Sequence, residues 1–180
     1  MAPMAPIAAT PIRAFLDTAI EGFLSDGGWV RAPMAMAEGY RIMPYSLAAD
    51  VTQRAATEAL SAEWGVAYTD AEVRLRWAGT DVMFLAAAGP EFIGCVAVDR
   101  ANFYPFVSHL YVAPALRGAG FGDRLLQVVE EHAVRLGFQE ARLWCSDALL
   151  PYYNRRGWQA AGEPAEGGQT VLKKGGLRKR

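Results

Sequence analysis

Arg117, Gly118, Gly120 and Gly122 stand between a β-type run, residues 107–112, and a helical pattern that begins at once. A strand-to-helix turn with this spacing aims several backbone N–H groups at one point. The first amides of a helix have no partner inside it, and the helix dipole adds positive potential there, so such a turn attracts an anion. Glycine helps by taking positive φ and by letting a phosphate approach the backbone. The alternative is a surface turn that happens to hold three glycines. A nucleoside-triphosphate loop wants Lys-Ser/Thr after its glycines, and here Gly122 is followed by Asp123 and Arg124. A dinucleotide fingerprint has another spacing and needs an acidic residue closing the next strand; Asp147, after strand 141–145, keeps that option open.

Other residues could move protons. Ser108 and His109 lie on the strand before the loop, where alternation sends their side chains to opposite faces, so only one can meet a substrate. An imidazole with an unperturbed pKa of ~6.5 can accept a proton directly or through water. A strand histidine satisfied by a neighbour is the other reading. Tyr153 sits in the run Tyr152-Tyr153-Asn154-Arg155-Arg156-Gly157-Trp158 and reads either as an acid or as a half-buried core tyrosine. Trp64, after Glu63 and before Gly65, reads as a pocket wall or as core packing.

The elements that must position these residues follow from periodicity and punctuation. Residues 1–38 read as an extension: an Ala/Pro-rich lead-in, then a helix capped by Thr10-Pro11 with Ile12, Phe15, Leu16, Ala19, Ile20, Phe23 and Leu24 on one stripe, stopped by Gly27-Gly28. That helix docks on its own domain or serves a homodimer or partner. The domain proper is read as 39–180. A strand over 40–43 leads to a helix capped by Ser46 and ending near Trp64. Thr69 and Glu72 have the spacing of a capping box for a second helix to about Trp77. Strands 81–88 and 92–99 form a hairpin across Gly89-Pro90-Glu91, and a loop over 102–105 leads to the strand at 107–112. A helix over 118–136 carries Leu125, Val129, Ala133 and Leu136 on its core stripe and stops at Gly137. Strand 141–145, a helix around 148–156 and strands near 158–161 and 169–173 complete the order β-α-α-β-β-β-α-β-α-β-β.

Composition narrows the function classes. The chain has 180 residues, 52% hydrophobic and 21% charged, enough for one real core. A net charge of -1 argues against nonspecific nucleic-acid binding. Cys95 and Cys145 stand alone in apolar runs, which fits buried thiols and a reducing, cytoplasmic compartment. With only His109 and His132, a His-rich metal site is excluded. No apolar run reaches the ~18 residues of a membrane span, and the first residues make a poor signal peptide. The basic end, with Lys173, Lys174, Arg178, Lys179 and Arg180, reads as solvated.

The loop Arg117-Gly118-Ala119-Gly120-Phe121-Gly122, preceded by Leu110-Tyr111-Val112-Ala113-Pro114, resembles the pyrophosphate loop of the GNAT (GCN5-related N-acetyltransferase) family. The Tyr152-to-Trp158 run is similar to that family's aromatic-Tyr-x-x-x-Gly-aromatic segment, in the right order and spacing. The resemblance covers roughly residues 39–175. It implies a mixed α/β fold, a twisted mixed sheet of about seven strands with helices on both faces and a splay between strands 4 and 5. It implies acetyl-CoA as co-substrate, held by the loop residues 117–122 and by the backbone of Leu110, Tyr111 and Val112, with Asp147 near the pantetheine. Tyr153 matches the family tyrosine that protonates the leaving thiolate. The acceptor is an amine, walled by Trp64 with Ser108. Many members carry a glutamate base on the fourth strand; here Ser108 and His109 take its place, leaving His109 as the base.

Within the family the likeness is nearest to the actin N-terminal acetyltransferase type, through Ala115-Leu116-Arg117-Gly118, the tryptophan at 64 and Gly162-Glu163-Pro164. That type takes acidic N-termini, which Arg74, Arg76, Arg155 and Arg156 could serve. The missing proline-rich insertion and the Ser108-His109 pair leave actin itself without support. The readings that remain are an N-acetyltransferase acting on a protein α-amine, one acting on a small antibiotic- or polyamine-like amine, and a non-catalytic acyl-CoA-binding module.

Overall fold

The computed structural model describes residues 39–77, 82–99, 104–163 and 169–178. The helix expected near the N-terminus, the dimer contact assigned to it, Asp81, Asn102, Pro164, Lys179 and Arg180 lie outside the described residues, as does the side chain of Arg76. The elements are β1 (Tyr40–Pro44), α1 (Asp50–Trp64), α2 (Asp70–Trp77), β2 (Val82–Ala88), β3 (Glu91–Asp99), β4 (Phe106–Val112), α3 (Phe121–Arg135), β5 (Glu140–Ser146), α4 (Leu150–Asn154), β6 (Gln159–Ala160) and β7 (Gln169–Gly175). Their order is the one expected.

The strands form one seven-stranded sheet in the order β1-β2-β3-β4-β5-β7-β6. Every neighbouring pair is antiparallel except β4 and β5, which run parallel. The centre of the sheet is covered on both faces. Met83, Leu85, Cys95 and Ala97 pack with Ala56 and Leu60 of α1 and Val73 of α2. On the other face the Phe84 ring meets His132 of α3, with centroids 5.3 Å apart. This is why residues 83–87 and 92–98 are buried without interruption and read as apolar runs rather than alternations. Cys95 and Cys145 are buried free thiols.

Helix starts depart from the sequence reading in two places. Ser46 caps nothing: residues 45–47 form a 3-10 turn, and α1 begins after Ala49. The polar work falls to Gln53 instead. Its buried amide donates to Tyr45 O at 2.8 Å, which also accepts the Ala48 amide at 3.1 Å, and to Ala48 O at 3.0 Å, a carbonyl that the turn leaves open. α3 begins at Phe121, three residues later than expected, because Gly118 and Gly120 both hold φ of +85° and keep the chain out of the right-handed helix. The capping box is present: Thr69 Oγ1 accepts from the Glu72 amide at 3.2 Å, and Glu72 Oε2 accepts from the Thr69 amide at 2.9 Å.

Two features of β4 position everything below. Its parallel pairing with β5 is confined to Phe106 with Arg142 and Val107 with Leu143, whereas β5 stays paired with β7 as far as Ser146. From residue 108 onward the β5-facing edge of β4 is therefore open. On the β3 side the register pairs Ala97 with Ser108 and Cys95 with Tyr111, so His109 and Leu110 together oppose Val96. This is a β-bulge, and His109 takes a φ of +51° within it.

Replacing Gln53 with alanine should leave the Ala48 carbonyl without a donor and the Tyr45 carbonyl with only the Ala48 amide, at a cost of about 1–3 kcal/mol. A urea titration followed by far-UV circular dichroism should show the midpoint falling; an unchanged midpoint would mean that water serves those carbonyls.

Candidate active site

The end of β4, the glycine loop and α4 enclose a cavity of about 590 Å³. Leu110, Tyr111 and Val112 line it from the strand, Arg117, Gly118, Gly120, Phe121 and Gly122 from the loop, and Tyr153 from α4. The sequence placed these groups far apart, and the fold brings them to one wall. The amides of Gly118, Gly120, Phe121 and Gly122 donate to no acceptor among the described residues, while those of Arg117, Ala119, Asp123 and Arg124 are spent inside the turn. Four unspent N–H groups at the start of a fifteen-residue helix make a positive cradle.

Gly122 is needed for a second reason. A Cβ there would lie 2.5 Å from Tyr152 Oη, so glycine lets the Tyr152 ring lie against the first turn of α3. Arg156 fixes that arrangement. Its guanidinium pairs with Asp123, donates to Tyr152 O at 2.7 Å and stacks over the Tyr152 ring at 3.6 Å. Leu149, Tyr152, Arg155 and Arg156 also line the cavity. Sequence reading assigned the two arginines elsewhere and gave Leu149 no role.

Tyr153 is 7% exposed and packs edge-on against Trp158. Burial pushes its phenol pKa well above the ordinary value, and the neighbouring Tyr152 and Cys145 push the same way. Its hydroxyl has no hydrogen-bond partner among the described residues.

Arg117 turns away from the cradle. Its guanidinium donates to both Glu63 oxygens at 3.1 Å and to Val112 O at 3.0 Å. Ala119 belongs to the loop but does not line the cavity. Asp147 does not line it either; its carboxylate accepts from Thr170 Oγ1 at 3.2 Å.

Ser108, His109 and Trp64 form a second group on the α1 face of the sheet. Expected alternation fails here. Positive φ at His109 breaks the two-residue period, so His109 Nδ1 lies 2.9 Å from Ser108 Oγ instead of on the opposite face. His109 Nε2 lies 3.4 Å from Tyr68 Oη, and the Trp64 ring is 5.5 Å from the imidazole. Tyr68 was not foreseen. Its place depends on the α1–α2 connection returning to β4, pinned by the Tyr68 amide donating to Ser61 Oγ at 3.2 Å, and no local pattern encodes that. Tyr111 joins the two groups: it lines the cavity, and its ring is 6.3 Å from that of Trp64.

The protein-family model of the acetyltransferase (GNAT) domain matches residues 47–171, most of the chain. The chain belongs to the GNAT acetyltransferase family. A curated relative, N-alpha-acetyltransferase 80 of Mus musculus, is 36% identical over 83 residues, which span 44% of this chain and only 26% of that protein. An acetyltransferase from Streptococcus agalactiae shares the fold at a TM-score of 0.61 with 13% identity, covering 77% of this chain and 99% of the other. A GNAT family acetyltransferase from Elizabethkingia anophelis, solved with acetyl-CoA bound, aligns at a TM-score of 0.56 with 17% identity over 77% of this chain and 99% of its own. These structures bear out the GNAT fold expected from the loop and the aromatic run.

The raised pKa of Tyr153 makes a prediction about alkaline stability. Above about pH 10 the unfolded chain releases a phenolic proton that the folded chain keeps, so this group's stabilising share is complete below about pH 10 and is lost as pH rises. Tyr153→Phe should lessen the alkaline fall by up to about 1.4 kcal/mol per pH unit. Urea midpoints measured between pH 8 and 11 check this; parallel curves for both proteins would mean that the hydroxyl is not sheltered.

Proposed function

We propose that this GNAT protein transfers an acetyl group from acetyl-CoA to a protein N-terminal α-amine. The observation that carries the proposal is the convergence of the glycine cradle, the open edge of β4 and Tyr153 on one cavity. Gly118, Gly120, Phe121 and Gly122 bind the diphosphate through their amides. The open β4 edge at Leu110, Tyr111 and Val112 holds the pantetheine arm and the thioester carbonyl. Preorganised donors at a developing oxyanion contribute about 2.7–4 kcal/mol. The amine nitrogen attacks the carbonyl carbon, the C–S bond breaks, and Tyr153 gives its proton to the departing sulfur.

His109 accepts the proton that the amine loses, with Ser108 and Tyr68 holding the ring. Trp64 walls the acceptor side. The base sets the choice of amine. Neutralising a lysine side chain at pH 7 costs about 4–5 kcal/mol, against about 1 kcal/mol for an α-amine. The residues on β4 offer an imidazole and a hydroxyl rather than a carboxylate, which suits the weaker base. The printed name of the murine relative, an N-alpha-acetyltransferase, supports the same choice.

Two variants test the cavity. Gly120→Glu places a carboxylate in the cradle and should abolish acetyl-CoA binding by calorimetry in a folded protein. Tyr153→Phe should bind normally while turnover falls about 10²–10⁴-fold. Unchanged affinity in the first or unchanged turnover in the second would refute the corresponding assignment.

The acceptor class is tested by coenzyme A release from matched peptides. A free N-terminus should be acetylated faster than an internal lysine in the same sequence with its N-terminus blocked. A faster lysine peptide, or a small polyamine outpacing both, would move the assignment to another amine.

A further inference from the structure

The α1 face of the sheet carries an aromatic wall on the far side of the β4–β5 splay from Trp64. The registers place it there. Ala97, in the core cluster with Ala56 and Leu60, pairs with Ser108, so Ser108 and, two residues earlier, Phe106 face α1. Phe106 pairs with Arg142, so Arg142 and Trp144 share that face. The Trp144 and Phe106 rings stack with centroids 4.1 Å apart. Phe106 is buried, whereas Trp144 remains 45% exposed. Were β5 still paired, Trp144 would stand opposite Ser108, the residue whose hydroxyl touches His109. The tryptophan therefore stands on the α1 face at the point where the two strands part, one residue past the last pair.

The charges around this wall are already matched. Arg142 is bound by Glu140 at 2.8 Å and by Glu163, and stacks on the Tyr104 ring at 3.7 Å. Its side chain is only 12% exposed, and its guanidinium is taken up by the two carboxylates, with Lys173 directly across from it on β7. Arg117 is held by Glu63, and Arg74 by Asp50 at 3.1 Å. Arg156 is held by Asp123 and, with Arg155, lines the glycine-loop cavity rather than this wall. Lys173 shares the face of Arg142 but stands on β7, one strand further from the splay. Of the four arginines that sequence reading offered to an acidic N-terminus, Arg74, Arg155 and Arg156 are thus paired or directed elsewhere; Arg76 lies outside the described side chains.

We infer that Trp144 is a specificity-determining residue of the acceptor site, and that the preferred acceptor carries an apolar or aromatic side chain beside its amine rather than a carboxylate. Such a side chain covers the exposed part of Trp144 and leaves water, whereas a carboxylate set there finds Arg142 already held by Glu140 and Glu163. The inference rests on the acetyltransferase reading above and adds the acceptor class to it.

The test uses three probes on the full chain: coenzyme A, and coenzyme A linked through an acetyl bridge to the α-amine of a short peptide beginning with Phe or with Asp. Calorimetry should show the Phe-first conjugate binding at least ~10-fold tighter than the Asp-first one, the scale at which apolar pockets discriminate. Trp144→Ala should bring the two together, Trp144→Tyr should keep them apart, and both variants should bind coenzyme A like the parent, since Trp144 does not line that cavity. Equal affinities, a tighter Asp-first conjugate, or selectivity that survives Trp144→Ala overturns the inference while leaving the acetyltransferase reading intact. Failure of coenzyme A itself to bind the parent takes down both.

Discussion

The structure turns on how soon β4 and β5 part company. Two residue pairs hold them together, and then β5 follows β7 while β4 follows β3. A sheet interior normally satisfies every backbone group through its neighbours. Here an interior strand leaves one edge without a strand partner over its last residues, where only the Val112 carbonyl is answered, by Arg117, and that edge faces the cavity under the glycine loop. The bulge at His109 adds to the break. By opposing two residues to one, it twists the strand end and moves the imidazole to the face where Ser108, Tyr68 and Trp64 wait. A non-glycine residue at positive φ is held by its surroundings against its own preference. The neighbours of His109, from the α1 end, the α1–α2 connection and β4 itself, supply that hold.

Around this break, two sets of side chains fasten helices to strands. Arg156 ties α4 to the first turn of α3 through Asp123, so the aromatic run is fastened directly to the glycine loop. Arg117 reaches from the loop to Glu63, at the end of α1, and to the last carbonyl of β4. Such exposed pairs contribute little to global stability, on the order of 0–1 kcal/mol each. Their value is geometric. They set the relative placement of the cradle, the strand edge and the Trp64 end of α1 without burying a charge.

What the sequence made legible is what local backbone preference encodes. Glycines at 118, 120 and 122 announce positive φ and close approach, and both are found. Thr69 and Glu72 announce a reciprocal cap, and it forms. Apolar runs at 83–87 and 92–98 announce central strands. Two local readings failed for identifiable reasons. Ser46 looked like a cap, but a 3-10 turn intervenes and Gln53 answers the carbonyls from inside the helix. Ser108 and His109 looked like opposite faces, but strand alternation does not survive a bulge, and no residue type there announces one. Contacts such as Glu63 with Arg117, 54 residues apart, and Tyr68 with His109, 41 apart, are products of the fold and have no local signature.

The margins of the sheet carry a further consequence. Strand edges are templates on which foreign chains can add, and proteins blunt them with short strands, prolines and charges. At one margin β6 is two residues long and exposed; at the other, β1 runs five residues, carries the exposed Arg41 and ends at Pro44, which has no N–H to offer. The outer rims thus give a visiting chain little to extend. The inviting edge is the one on β4, and it lies between two strands, reachable only by something as slender as a single extended arm. Opening the sheet in its middle gives the protein a strand-like docking rail for a small ligand without the aggregation hazard that the same rail would carry at the rim.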